Sequence, residues 1–364
     1  MVDVDVVVAG GGVVGLAAAV SLAERGASVC VLEAASRLGH GTSTRNSGVI
    51  HAGLYYPAGS LKAQLCVEGR ERLYRFAAAH AVPHARCGKL VVAGDEHEAG
   101  ELEPLRQRAQ GNGVTSVRIV DRPFIAAREP HVHAVAALWS PDTGIIEAEA
   151  LVRALAARCR DLDVALLVGS PLQGIDRAGS ALSVTTPHER FTARTLVNAA
   201  GLQADHVSAM AGGEAFTIHP CRGEYAELAP SRRAWVNALV YPLPHPSGAG
   251  LGVHLTRTTW GSVLVGPTIH YQAARDDYES GRLTLEEFLA PTRRLLPGLG
   301  PADLQPGGSG IRAKLHGPDR TFADFLIRRD RLNPQVIQAA GIDSPGLTSC
   351  LAIGERVGHI WMSD

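Results

Sequence analysis

The turn Gly10-x-Gly12-x-x-Gly15 constrains this chain more than any other stretch. It follows a β-branched run, Val4 to Ala9, and opens an alanine-rich helical segment, Leu16 to Arg25, that Gly26 stops; Ser28 to Leu32 then reads as a second apolar strand. Strand, glycine turn, helix and strand make a βαβ unit, and Glu33 stands at the end of its second strand. Gly10 permits the tight turn, Gly12 lets the backbone approach a pyrophosphate, and Gly15 lets helix and strand pack closely. Val13 and Val14 lie in the turn itself, leading into a helix N-terminus whose free N–H groups attract an anion. A carboxylate at Glu33 accepts the adenosine ribose hydroxyls and repels a 2′-phosphate, which disfavours NADP. NAD and FAD share that adenosine half, so the turn leaves the choice between them open.

With 364 residues, the chain has room for two domains around a sizeable core. A net charge of −1 without blocks of like charge argues against nucleic acid as a partner. Six cysteines carry no C-x-x-C pair, and no metal-ligand spacing stands out, so reduced thiols in a cytoplasmic enzyme are expected. The apolar start holds acidic residues and a glycine turn, which fits neither a signal peptide nor a membrane span. Lys62, Lys89 and Lys314 are the only lysines in an arginine-rich chain, a skew that reads as codon bias rather than function.

Helical spacing recurs over Leu61 to His80 and Glu98 to Gln110, with a strand-like segment, Gly88 to Ala93, between them. A turn and helix from Gly144 to Cys159 and apolar runs at Val164 to Val168, Ala181 to Thr186 and Thr195 to Ala199 return the chain to an α/β pattern. Short β-type runs broken by Pro and Gly fill about 213 to 317, as in Leu239 to Tyr241, Gly252 to Thr256 and Ser262 to Val265. Val336 to Ala340 and Leu347 to Val357 close with strand, turn and helix. The expected fold class is α/β, α+β overall: a discontinuous Rossmann-type nucleotide domain over 1–86, 144–213 and 325–364, with a mixed, mainly antiparallel substrate domain over 87–143 and 214–324.

The segment from Gly41 through Asn46-Ser47-Gly48-Val-Ile-His51-Ala-Gly53-Leu-Tyr55-Tyr56 resembles the D-amino-acid-oxidase-like FAD enzymes, and among them the L-2-hydroxyglutarate dehydrogenase/oxidase family. The resemblance continues through Ser60-Leu-Lys62-Ala, Cys87-Gly-Lys89-Leu, Arg128-Glu-Pro, Arg222-Gly-Glu-Tyr225, Gly252-Val-His254-Leu-Thr, Ser309-Gly-Ile-Arg312 and Gly341-Ile-Asp343-Ser344-Pro-Gly346-Leu347-Thr348. It implies FAD held between the two domains. Thr42, Ser43, Asn46, Ser47 and Gly48 would lie along the pyrophosphate and flavin, Leu172 beside the adenine, and Ala200-Gly201 at a strand end next to the cofactor. Gly341 to Thr348 would bring a helix N-terminus to the pyrimidine edge of the ring, where its partial positive charge stabilises the reduced flavin. Taken alone, Ser344-Pro345-Gly346 reads as an ordinary capped helix start. The family usually has Gly-Ile-Glu-Ser where this chain has Gly-Ile-Asp-Ser.

The resemblance implies oxidation of an L-2-hydroxy acid to the 2-oxo acid by hydride transfer to flavin, which requires a cation for the carboxylate and a base for the hydroxyl proton. Arg312 matches the carboxylate-binding arginine. His51 and His254 are the candidate bases, and Arg222, Tyr225, Tyr241 and Lys314 are candidates for lining the pocket and binding a distal carboxylate. Alternatives are an amine or amino-acid oxidase, an alcohol oxidase acting on a biosynthetic intermediate, and a flavin-binding protein without catalysis. The electron acceptor stays open between oxygen, a quinone reached by peripheral membrane contact, and a carrier protein.

Overall fold

The computed structural model of the chain describes residues 2–244, 252–320 and 322–363. Residues 245–251, within the expected substrate domain, lie outside them.

Near-continuous apolar runs become parallel strands covered on both faces. Five parallel strands lie side by side in the order Ala165–Leu167, Val29–Leu32, Val4–Ala9, Arg190–Asn198 and Val336–Ala340, and Val29–Leu32 and Val336–Ala340 are buried throughout. The antiparallel strands Gly174–Ala178, Ala181–Thr185 and Leu326–Arg329 complete an eight-stranded sheet. Ala9 pairs with both Leu32 and Asn198, so Gly10, Glu33 and Ala199 leave the sheet at the same carboxyl edge. Open parallel sheets bind ligands at that edge.

Helix Val13–Ala23 is apolar on every side because it is covered on every side, by the sheet and by helices Ala148–Asp161 and Gly346–Met362. Leu16 and Leu22 are fully buried, each contributing about 1.5–3 kcal/mol. The strand expected from Thr195 begins already at Arg190. Its first half pairs in an exposed hairpin, where one polar face is tolerated, and the apolar run marks only the half covered on both sides. Similarly, Glu98 to Gln110 divides into helices Glu96–Gly100 and Leu102–Gly111, the first started by Asp95 accepting from Glu98 N.

Among the described residues nine strands form the second sheet. Its pairings are antiparallel except that of Leu239–Pro242 with Lys89–Ala93. Long strands His219–Leu228 and Leu304–Lys314 pair so that Arg312 lies opposite Cys221. A small sheet of Val49–Ile50, Gly144–Ile146 and His84–Ala85 sits alongside the two large ones. The fold is thus mixed α/β, with a doubly covered parallel sheet and a mainly antiparallel one.

Candidate active site

A cavity of about 1520 Å³ is lined by residues of both large sheets. Pockets for one drug-sized ligand measure roughly 300–1,000 Å³, so this one has space for a dinucleotide and a substrate together. At one end, the Glu33 carboxylate accepts hydrogen bonds from Gly11 N at 2.9 Å and Ala35 N at 2.8 Å. Those bonds hold it at the cavity wall beside Ser170 and Leu172. A side chain at Gly15 would run into the Gly10 carbonyl, so only glycine lets this helix start sit so close to the strand end.

The following loop closes over the helix start. Ser43 Oγ accepts from Val13 N at 3.0 Å, and Asn46 donates to the carbonyls of Thr42 and Ser43 while accepting from Gly48 N. Thr42 Oγ1 donates to the Ile311 carbonyl at 2.8 Å, fastening this loop to the strand of Arg312 in the other sheet. Among the residues expected at the cofactor, Gly10, Gly12, Val13, Val14, Glu33, Thr42, Ser43, Asn46, Ser47, Leu172, Ala200 and Gly201 line the cavity, as do Asp343, Ser344, Gly346 and Leu347. Gly15, Gly48, Gly341 and Thr348 do not.

Thr348 acts one layer back. Its hydroxyl donates to the Val49 carbonyl at 3.2 Å and accepts from His51 N at 2.9 Å, fixing the histidine loop to the first turn of helix Gly346–Met362. Ser344 does not cap that helix. Its Oγ instead lies 3.3 Å from His51 Nε2 and 3.4 Å from the Tyr56 hydroxyl, facing the cavity. Burial, then the Lys89 ammonium and His254, hold the His51 imidazole well below the ordinary histidine range.

His254 stacks on Tyr241 with ring centroids 3.7 Å apart. Its Nδ1 lies 2.8 Å from the Gly252 carbonyl, which only accepts, so that nitrogen carries the proton and Nε2 is left as an acceptor. Burial lowers its pKa to about 3. Both histidines are therefore neutral near pH 7.

Arg312 lines the cavity and donates to the Thr268 carbonyl from Nη1 at 3.3 Å and Nη2 at 3.2 Å. Lys314, two residues on, faces the same way and lies 3.4 Å from His316 Nε2. Burial pushes the Lys314 amine down, and Asp343 opposes the shift. Lys62 pairs with Asp343 at 2.6 Å, and Lys314 lies 3.9 Å from the second oxygen of the same carboxylate. Asp343 thus points toward these cations at the cavity wall.

Tyr225 and Tyr241 line the cavity as expected, but Arg222 does not. Its position in the strand alternates with Cys221, and its buried guanidinium is locked 3.0 Å from Glu224. The cavity also contains Lys62, His316 and Tyr56, which the sequence reading gave no role. The scarcity of lysine was the signal: two of the three lysines line the cavity, and the ammonium of the third, Lys89, lies against the rings of Tyr55 and Tyr241. Codon bias does not account for that placement.

A glycine turn at the carboxyl edge of a parallel sheet, a carboxylate held at the cavity wall and a second sheet closing the cavity are the features of a dinucleotide-dependent oxidoreductase. The family described as "DAO: FAD dependent oxidoreductase" matches residues 5–360. L-2-Hydroxyglutarate dehydrogenase, mitochondrial, of Arabidopsis thaliana is 35% identical over 98% of this chain and 83% of its own length. The L-2-hydroxyglutarate dehydrogenase of Indibacter alkaliphilus is 31% identical, covering 98% of both chains. Dithionite-reduced L-α-glycerophosphate oxidase from Mycoplasma pneumoniae, solved with FAD bound, superposes with a TM-score of 0.91 at 24% identity, covering 99% of this chain and 95% of that one. The chain belongs to the FAD-dependent oxidoreductases of the DAO family and, within them, to the L-2-hydroxyglutarate dehydrogenase family.

Proposed function

We propose that this enzyme oxidises the C2 alcohol of an L-2-hydroxy dicarboxylate, L-2-hydroxyglutarate or a near homologue, to the 2-oxo acid. The observation that carries this reading is the pair Arg312 and Lys314, two residues apart on one strand and both facing the cavity. Same-face neighbours on a strand are separated by about 6.7 Å, a span that a five-carbon chain with a carboxylate at each end can bridge. Arg312 receives the carboxylate next to the reacting carbon through its planar fork, and Lys314, with Lys62 beside it, receives the distal one. The relatives' names point to the same donor.

Gly10, Gly12 and Glu33 would hold the adenosine and pyrophosphate of FAD, and Thr42, Ser43 and Ser47 would follow it toward the ring. FAD, when bound, supplies the two-electron acceptor. His51, neutral and fixed through its backbone to Thr348, accepts the hydroxyl proton at Nε2, and His254 Nε2 orients the same hydroxyl. Among the described residues no helix is long and apolar enough to cross a membrane. Six unpaired thiols fit a reducing, cytoplasmic setting.

The test is anaerobic mixing of the FAD-loaded enzyme with a panel of 2-hydroxy and 2-amino acids while the flavin absorbance is followed. L-2-Hydroxyglutarate should bleach it rapidly, and Arg312→Ala should lose bleaching while retaining bound FAD. Bleaching by a 2-amino acid alone, or an Arg312→Ala enzyme as fast as wild type, would overturn the reading.

A further inference from the structure

Three carboxylates line the cavity among the described residues, those of Glu33, Asp276 and Asp343. Glu33 is held at the nucleotide end by Gly11 N and Ala35 N. Asp343 stands instead between the two lysines of the cavity wall, where a negative charge weakens the pull on any anion that enters. Asp324, the other carboxylate beside Lys62, accepts from the backbone N–H groups of Leu61 and Lys62.

The geometry divides the two ammonium groups unequally. Lys62 Nζ lies 2.6 Å from Asp343 Oδ1, with both side chains less than a tenth exposed, and the rings of Phe322 and Phe325 stand 5.4 and 5.3 Å from that Nζ. Lys314 Nζ lies 3.9 Å from Asp343 Oδ2, and its side chain is 18% exposed. It is also 3.4 Å from His316 Nε2. His316 Nδ1 is 2.9 Å from the Gly317 carbonyl, which only accepts, so Nδ1 carries the proton and Nε2 accepts from Lys314 without adding a charge. The Asp343 backbone is fixed in turn: its N–H donates to the Gly341 carbonyl at 3.1 Å, and its carbonyl accepts from Gly346 N at 2.6 Å. Two ammonium groups and one carboxylate leave a single positive charge, on the Lys314 side. Stability does not require this arrangement, since a well-packed apolar pair in place of a buried ion pair is often neutral or better.

We infer that Asp343 is a specificity-determining residue: by neutralising Lys62 it limits the distal subsite to one positive charge, matched to a single carboxylate, and so disfavours substrates whose far end carries two negative charges, such as a phosphonate or a phosphate monoester. The inference deepens the reading in which Lys314 receives the distal carboxylate, and it rests on that reading. Removing the Asp343 charge alters the attraction for a doubly charged tail twice as much as for a singly charged one, whatever the dielectric at the wall. The carboxylate therefore acts against the wrong ligand, at some cost in attraction for the right one.

Three substrates share the C2 alcohol and its neighbouring carboxylate but differ at the far end. L-2-Hydroxyvalerate carries no charge there, L-2-hydroxyglutarate one, and L-2-hydroxy-4-phosphonobutyrate two above its second ionisation. The second-order rate constant of anaerobic flavin reduction is measured for each, above that ionisation, with FAD-loaded wild type, Asp343→Asn, Lys62→Met and the double variant carrying both changes. Asp343→Asn leaves two positive charges and should raise the phosphonate-to-carboxylate ratio about tenfold over wild type. Lys62→Met leaves no net charge and should lower that ratio by about the same factor. The double variant again has one charge and should return toward the wild-type ratio. Should Asp343→Asn not fold, Lys62→Met and the double variant still differ by one charge, and the double variant leaves neither partner of the pair uncompensated. A ratio equal in those two variants overturns the inference, as does a ratio that stays or falls in Asp343→Asn. A wild type as fast with L-2-hydroxyvalerate as with L-2-hydroxyglutarate overturns the reading beneath it instead.

Discussion

The carboxylate of Asp343 meets the ammonium of Lys62 at 2.6 Å, and both side chains are less than a tenth exposed. One pair thereby ties the loop before helix Gly346–Met362 to the start of helix Leu61–Ala79, whose first N–H groups rest on Asp324. Removing one partner of a buried pair leaves the other charge uncompensated, a cost of about 3–5 kcal/mol. Asp343→Asn should lose stability on that order in denaturant unfolding. Asp343→Glu, which keeps the negative charge beside Lys62, should lose less stability than Asp343→Asn. Equal stability of Asp343→Asn and wild type would show the pair to be energetically idle.

Glu33 is held by Gly11 N and Ala35 N at the position where ribose hydroxyls would reach it. A hydrogen bond to a charged group contributes about 1.5–3 kcal/mol, so Glu33→Ala should weaken FAD binding by roughly ten- to a hundredfold. Fluorescence titration of the apoprotein with FAD measures this. An unchanged Kd would remove Glu33 from the cofactor site.

Gly310 lies against the Arg45 carbonyl, with no space for a methyl group. Gly310→Ala must push away the loop that carries Ser43, Asn46 and Ser47. Overpacking of this kind costs about 1–3 kcal/mol and here should also release FAD. Gly308, where a side chain would meet open space, is the control. Thermal unfolding and retained flavin absorbance distinguish the two variants, and equal behaviour would rule out the tight contact.

Asp205 is bound by Arg275 at 2.8 Å and accepts from Ile218 N at 3.0 Å. Burial alone would raise its pKa, but the hydrogen bonds from Arg275 and the backbone outweigh it and hold the carboxyl at about 2. A folded-state pKa below the unfolded value adds stability above the ordinary carboxylate range, and that stability fades as pH falls toward about 2. The stability difference between wild type and Asp205→Asn should be constant near neutrality and shrink below about pH 4. A pH-independent difference would contradict the pairing.

The βαβ unit was legible because each part is locally dictated. Val4 to Ala9 is apolar enough to be a doubly covered strand, Gly10 and Gly15 admit backbone contacts that a side chain would block, and Glu33 lies a fixed distance along the same unit. Strand ends were less legible where one face met water, as at Arg190. Arg222 was misread because composition does not say which face of a strand a residue takes when both faces are buried. Lys62, Lys89 and His316 carry no local signal of their place in the structure, because their neighbours in space are distant in sequence.

Sequence alone determined the nucleotide-binding half of this protein, since glycine sterics and hydrophobic periodicity act between residues close along the chain. The substrate half was decided by tertiary structure. His51, Lys62, His254, Arg312 and Asp343 stand on five separate segments; Thr42 bonding to Ile311 ties the loop after Gly41 to the strand of Arg312, and Thr348 bonding to His51 ties the histidine loop to the helix that follows Asp343. Which cations converge, and which histidines lose their charge, follows from burial and proximity that exist only once the sheets have packed.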